Sequence, residues 1–406
     1  MNQTIRKRIE DINNGIVPEG YKQTPFGIFP CDWETEKKLD DLGTFDKGKG
    51  LPGDKMTDEG VPCIGYGDIY MKYNYHFEKA QTFVDEKTAS ESQPIEKGTL
   101  LFTGTGETAE EIGKCVCYNG DETIYAGGDI ILFNSKEVNP MFLAYQQYQD
   151  FSLKRKAMYG QGHSVVHIQR GELAKLPTAC PQDKTEQSKI AEILMKWDEM
   201  VELQEQYIQK LELRKKAIMK KLLTPKDGWK KCRLNELVYK EKGKAVKIDN
   251  EGSFPIIDME YLDKGVFTNY TNEKGILTNE QDILLLWDGA SAGTLLTGVK
   301  GVVGSTFALL TLKNDKTCSK YLYYWLTIEN LKNVSLREGS GIPHMPKDYL
   351  QKQVVKYPIL DKQIKISKTL ALLEEEISLQ KEKLAKIKEQ RKAMQQYLLT
   401  GIVRVS

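Results

Sequence analysis

Apolar positions recur at alternating steps of four and three along two stretches: Ile190, Leu194, Trp197, Val201, Gln204, Ile208, Leu211, Lys215, Ile218, Leu222, and again Ile366, Leu370, Leu373, Ile377, Gln380, Leu384, Ile387, Arg391, Met394, Leu398. Neither run contains Pro or Gly. The pattern predicts a long helix with one apolar stripe in each, extending to about 55 Å at about 1.5 Å per residue. Polar residues break both seams at the same two steps. Shifted by 176 positions, Gln187, Lys189, Leu203, Lys210, Ala217, Leu223 and Thr224 fall on Gln363, Lys365, Leu379, Lys386, Ala393, Leu399 and Thr400, which is an internal duplication. An apolar stripe must be covered, and the two stripes suit each other as an antiparallel pair, with a Gln and a cation at matched seam positions fixing the register. The alternatives are packing of each helix on its own domain, or homodimerisation.

Outside the helices the apolar runs are short and bounded by Gly and Asn, which predicts strands at 98–103, 114–118 and 129–133, and again at 282–287, 295–299 and 305–312. A Tyr-rich helical stretch follows each set, 141–151 and 319–330. Asp32-Trp33, then Leu39 and Leu42, matches Gly228-Trp229, then Leu234 and Leu237; each leads into a Lys/Gly stretch, 47–50 and 242–244. The expected fold is therefore α+β. Two copies of an α/β domain are separated by two long helices that pair as an antiparallel coiled coil, in a pseudo-two-fold, circular arrangement. The expected divisions are an N-terminal segment 1–30, a first domain 31–184, a helix 185–225, a second domain 226–360 and a helix 361–406. Gly15-Ile16-Val17 echoes Gly401-Ile402-Val403. The echo suggests that the N-terminal segment completes a unit which the C-terminal helix begins.

Composition changes this picture little. The chain has 406 residues, 40% of them hydrophobic, room for two to three domains. It contains no apolar run of about 18 residues and no apolar signal core, so no membrane is expected. Seven scattered cysteines form no disulfide framework, and a reduced, cytoplasmic setting is expected. A net charge of +1 counts mildly against unaided tight binding to nucleic acid.

Two stretches tempt an enzymatic reading. Phe102-Thr103-Gly104-Thr105-Gly106 is similar to the F-x-G-x-G loop of S-adenosylmethionine-dependent methyltransferases, and Asn139-Pro140-Met141-Phe142 to their N-P-P-[FY] motif. The second proline is missing, and fewer than about 40 residues separate the motifs, too few for the intervening units of a doubly wound sheet. The matching loop of the second copy, Trp287 to Gly293, lacks the glycine pattern. Cys115-x-Cys117 has no second pair at zinc spacing, so no metal site is expected. His167 and His344 differ from the other histidines because they match across the repeat, in Gly162 to Ile168 and Gly339 to Met345. Cationic or polar residues precede both, Lys154, Arg155, Lys156 and Gln161 in one copy and Arg337 in the other. Such loops suit phosphates or base edges, and equally a histidine that satisfies a turn.

The order domain, helix, domain, helix resembles the DNA specificity subunit of type I restriction-modification systems. So do G-x-x-x-x-H-[IM] before a Pro-containing strand, Glu186-Gln187-Ser188-Lys189-Ile190-Ala191, Pro18 to Lys22, Gly98 to Phe102 and Leu222-Leu223-Thr224-Pro225. The resemblance covers essentially the whole chain. It implies a non-catalytic subunit with two target recognition domains, each reading one half of a bipartite, asymmetric site in double-stranded DNA, and helices that set the spacing. It implies partners too: two modification subunits carrying S-adenosylmethionine for adenine N6 methylation, and restriction subunits using ATP and Mg2+; no cofactor is expected in this chain. Candidate DNA-facing residues lie on the loops matched across the repeat. They are Lys47, Lys49, Tyr66, Asp68, Thr103, Thr105, Glu107, Gln161, His163 and Ser164 in the first domain. In the second they are Lys242, Lys244, Asp258, Glu260, Trp287, Asp288, Ser291, Arg337, Ser340 and His344. Cations would neutralise phosphates, while amide, hydroxyl, imidazole and carboxylate groups would pair with base edges. The basic helix exteriors, Arg214, Lys216, Lys220, Lys221, Lys381, Lys383, Lys386 and Lys388, would dock modification subunits or form a solvated face. A stand-alone methyltransferase and a coiled-coil adaptor are the alternative functions.

Overall fold

The computed structural model describes residues 3–162, 165–249, 251–332 and 343–405. They form two compact units, one of residues 1–203 with 384–406, the other of residues 204–383. Both expected long helices are present, Lys184–Leu223 and Leu360–Leu399, and each contributes residues to both units.

In the first unit a five-stranded sheet runs Gly43–Lys47, Ile130–Ser135, Thr99–Thr103, Cys115–Tyr118, His76–Phe77; its last pair is parallel and the others antiparallel. All five residues of Thr99–Thr103 are buried, which is why its sequence runs apolar instead of alternating. Alternation nevertheless decides what each side chain meets. Leu100, Phe102, Cys115 and Cys117 share a core with helix residues Phe142 to Tyr145, Ile190 and Leu194, whereas Leu101, Val116 and Leu132 share one with Ile64, Ile124 and Ala126 of a four-stranded second sheet. The second unit repeats this plan. Its four-stranded sheet runs Val238–Lys242, Phe307–Leu312, Ile283–Leu286, Leu295–Thr297. Ile283 and Leu285 pack with the helix Ser319–Lys332 and with Ile366 and Leu370, while Leu284 and Leu286 face Ile257 and Val303.

One expectation needs correction. The helix expected over 141–151 is two helices, Pro140–Gln146 and Asp150–Tyr159. The turn between them brings the Tyr148 hydroxyl within hydrogen-bond reach of the carbonyls of Cys115 and Asn74, at 2.6 and 2.8 Å.

Every seam residue of the long helices is buried or half-buried. In the second unit the matched glutamines meet: Gln204 Nε2 donates to Gln380 Oε1 at 2.9 Å, and Lys215 reaches Glu374 further along. The partner number falls as the helix number rises, so the helices run antiparallel. Replacing Gln204 alone by Leu leaves a partly buried Gln380 amide without its partner and is expected to cost about 1–3 kcal/mol, whereas Gln204→Leu with Gln380→Leu recovers that loss. Thermal melts of the two variants check this, and an uncorrected double variant would contradict it. Each helix is also stapled at its start. Gln187 Oε1 accepts from the Asn139 N–H at 2.8 Å and Nε2 donates to the Pro181 carbonyl at 2.7 Å; Gln363 does the same with Cys318 and Pro358, both at 2.9 Å.

The first unit is closed by both ends of the chain. The Tyr21 hydroxyl donates to the Gly401 carbonyl at 2.7 Å, Arg8 to the Ile402 carbonyl at 2.6 Å, and Arg404 reaches the carboxylates of Asp32 and Glu186. Gly401 has φ 68° and approaches Pro30 and Trp33 so closely that a Cβ would lie 2.5 Å from Pro30. In the second unit the chain itself leads from the end of a long helix at Leu223 to Trp229, the counterpart of Trp33.

Candidate nucleic-acid interface

Two features recur at the same register in both units. First, the edge strand of each main sheet ends in the Lys/Gly stretch. Lys47 pairs with Ile131 and Lys242 with Ala308, and each is followed by a glycine pressed against backbone. A Cβ on Gly48 would lie 1.8 Å from the Gly127 carbonyl oxygen, and one on Gly243 2.1 Å from that of Gly304. Only glycine fits there. Lys47, Lys49 and Lys244 are exposed, while Lys242 is half-buried with its ammonium 2.5 Å from Asp288 Oδ2.

Second, the matched histidines bridge onto the segment leaving the middle strand. Thr105 pairs with His167, its Oγ1 3.2 Å from Nδ1, and the Ile168 N–H donates to the Gly104 carbonyl. In the second unit Asp288 pairs with His344 and the Met345 N–H donates to the Trp287 carbonyl. Thr105 and Asp288 thus occupy one position, as do His167 and His344. Gln161 joins the first ladder through backbone bonds to His167 in both directions.

Other candidates are committed internally. Asp68 is 8% exposed, and its carboxylate accepts from the Gly65 N–H and the Thr82 hydroxyl and pairs with Lys72. Thr103 is fully buried, bonded to the Tyr70 hydroxyl at 2.8 Å. Asp258 caps the helix Met259–Lys264, and with Glu260 it accepts from the Asn269 amide. Trp287 is buried with the Lys240 ammonium 3.7 Å above its ring. Burial and the neighbouring Lys242 lower the Lys240 pKa below the usual lysine range. Tyr66, Glu107 and Ser291 are exposed, whereas His163, Ser164, Arg337 and Ser340 lie outside the described residues.

Lys156, grouped in sequence with Lys154 and Arg155, is 1% exposed. It donates to the Gly113 carbonyl at 2.9 Å, and burial pushes its pKa down to about 8. It cannot meet a phosphate. Lys240, two residues before Lys242 on the same edge strand, was not among the sequence candidates, and the first-domain candidates included His163 rather than His167, the histidine that pairs with Thr105.

The methyltransferase-like stretches serve structure. Phe102 and Thr103 end a buried antiparallel strand. Asn139 caps a helix by accepting from the Phe142 N–H, with Pro140 at its first position. Cys115 and Cys117 share the helix-facing core, where burial raises both thiol pKa values, that of Cys117 to about 12. All seven cysteines are free. Among the described residues no group of three or more His, Cys, Asp or Glu could hold a metal ion, and no helix is long and apolar enough to cross a membrane.

A family model, the type I restriction modification DNA specificity domain, matches residues 30–213 and again 226–389. The chain belongs to this family. The doubled specificity-domain match coincides with the doubled edge strand and histidine ladder. The MjaVIII specificity subunit of Methanocaldococcus jannaschii is 35% identical over 186 residues, a match spanning 44% of this chain and 43% of that protein. The putative MjaX specificity subunit of the same organism is 24% identical over 433 residues, covering 95% and 97%. Two solved structures share the specificity-subunit fold. A type I restriction-modification S subunit from M. genitalium has TM-score 0.61 at 18% identity, over 94% of this chain and 99% of that one. A structure describing assembly and conformational transition of the type I system has TM-score 0.57 at 14% identity, over 92% and 99%.

Proposed function

We propose that this chain is the non-catalytic specificity subunit of a type I restriction-modification complex, each unit reading one half of a split, asymmetric sequence in double-stranded DNA. The observation that carries this reading is the repetition of one surface device, a Lys/Gly edge and a histidine-bridged ladder, on two units whose side chains there differ. Thr105 in one unit stands where Asp288 stands in the other, and a hydroxyl and a carboxylate favour different base edges. The half-sites are therefore unlike. The helix pair sets the spacing between them. DNA makes a turn in about 34 Å, shorter than either helix at about 1.5 Å per residue.

Lys49 and Lys244 are exposed just past the ends of the edge strands and would neutralise phosphates. Lys49→Ala and Lys244→Ala are each expected to lower the slope of log binding constant against log salt by about 1 in the complex with modification subunits, without changing the preferred sequence. An unchanged slope would remove the phosphate role.

Two modification subunits, supplying S-adenosylmethionine and adenine N6 methylation, would dock on the helix exteriors, and restriction subunits would add ATP and Mg2+. Lys381 already pairs with Glu212 at 2.7 Å, so the docking face is better sought at Arg214, Lys216, Lys220, Lys221, Lys383 and Lys386. Charge reversal there should reduce co-purification of modification subunit; stoichiometric recovery would leave a solvated face. A cytoplasmic location follows from such partners. The adaptor reading would gain if the complex preferred no DNA sequence, and the methyltransferase reading if the isolated chain bound S-adenosylmethionine.

A further inference from the structure

Where each recognition domain meets the long helices, a cation, a carboxylate and a tyrosine converge. In the first unit Arg391, a seam residue, places Nε 2.7 Å from Asp198 Oδ1, while the Tyr145 hydroxyl donates to Asp198 Oδ2 at 2.6 Å. The same guanidinium donates to the Tyr75 hydroxyl at 2.7 Å and lies 3.9 Å from the centre of its ring. In the second unit Lys215 Nζ lies 2.6 Å from Glu374 Oε1, and the Tyr324 hydroxyl donates to Glu374 Oε2 at 2.7 Å. The 176-residue shift carries Lys215 onto Arg391 and Asp198 onto Glu374. Cation and acid have exchanged helices between the units, and Tyr145 and Tyr324 come from equivalent helices, Pro140–Gln146 and Ser319–Lys332.

In both, one carboxylate oxygen is held by the seam cation and the other by the recognition domain. Apolar packing between a domain and a helix pair is non-directional and tolerates tilt. A charge-assisted hydrogen bond is short and angle-dependent, so a carboxylate gripped from both sides fixes the domain's angle. The arrangement appears twice while the residue types change, Arg with Asp and Lys with Glu. Geometry is what the two copies share.

We propose that these clusters are positioning joints: they hold each recognition domain at a set angle on the helices, and so restrict the subunit to one spacing between half-sites. The proposal rests on the functional reading above. One base pair of error displaces a half-site by about 3.4 Å and rotates it by about 34°. A domain free to tilt accepts neighbouring spacings; a domain gripped at its carboxylate does not. The first joint is the stiffer, because a planar guanidinium stacks on Tyr75 and donates to Asp198, Tyr75 and Gln395, whereas Lys215 offers a point charge on a flexible stem.

The test uses Tyr145→Phe and Tyr324→Phe, which keep the ring and remove the hydroxyl, in the full chain expressed with its modification subunit. Methylation is mapped across a host genome, which offers every spacing at once. With the wild-type chain, one split motif at one spacing is expected. Each variant should keep both half-sites and add sites one base pair longer or shorter, methylated about tenfold above their wild-type level, the loss expected for a hydrogen bond to a charged group. Tyr324→Phe should broaden more, and adding Lys215→Arg should narrow it again. Unchanged spacing in both variants overturns the joints, as does an equal fall of methylation at all spacings, which marks plain loss of fold. Should one variant fail to accumulate, the other reads the same device in the opposite unit. A wild-type chain that yields no split motif overturns the functional reading instead, and the two failures are thus distinguishable.

Discussion

Arg391→Ala is expected to lower the stability of the first unit by about 3–5 kcal/mol, the cost of breaking a buried ion pair from one side. The Arg391 and Asp198 side chains are 9% and 18% exposed, and truncation would leave the carboxylate with the Tyr145 hydroxyl and its distant neighbour His76, 4.0 Å away. The stacking over Tyr75 would go as well. The counterpart change, Lys215→Ala, is expected to cost about 1 kcal/mol, because Lys215 and Glu374 are 27% and 35% exposed and water screens the uncovered charge. Urea unfolding of both variants at one protein concentration checks the order. Equal losses would contradict the distinction between a stiff and a soft joint.

Gly48→Ala is expected to be among the most damaging single methyls in the first recognition domain. Its Cβ would lie 1.8 Å from the Gly127 carbonyl oxygen, and the obstacle is backbone that cannot swing aside. The strand end must move, at a cost of at least about 2 kcal/mol. Lys47 and Lys49 move with it, so DNA binding by the complex should fall further than either lysine's own removal would explain. Gly53→Ala is the control, since nothing lies within 4 Å of its Cβ, and a change within about 0.5 kcal/mol is expected. A tolerated Gly48→Ala with unaltered binding would show that the close approach is not needed.

The long helices were legible because periodicity is a local property. Ten seam positions at steps of four and three specify a stripe wherever the chain goes. The matched polar steps went further, and Gln204 does meet Gln380. The partners of the seam cations were not legible, because Asp198 and Glu374 lie beside the seam, and only the antiparallel register brings them to Arg391 and Lys215. The strands were readable from their bounded apolar runs, yet the break at 147–149 was not, since it depends on what Tyr148 reaches across the domain.

The candidate interface was legible only in outline. Alignment of the two copies found the Lys/Gly edge and the histidine pair, which the fold places at equivalent registers. It named Lys156, which is sealed under Gly113, beside Lys154 and Arg155 among the cations preceding the histidine loop. It did not show that Asp68 and Thr103 are bonded inside the domain. Burial of a polar side chain is decided by elements distant in sequence, and a loop composition carries no record of them.

The most direct test of the central claim is methylome sequencing of a heterologous host carrying the partner modification gene with and without this chain. Adenine methylation at one split motif with two unlike halves, present only when this chain is expressed, is the predicted result. A well-expressed complex that leaves the genome without new methylation would contradict it.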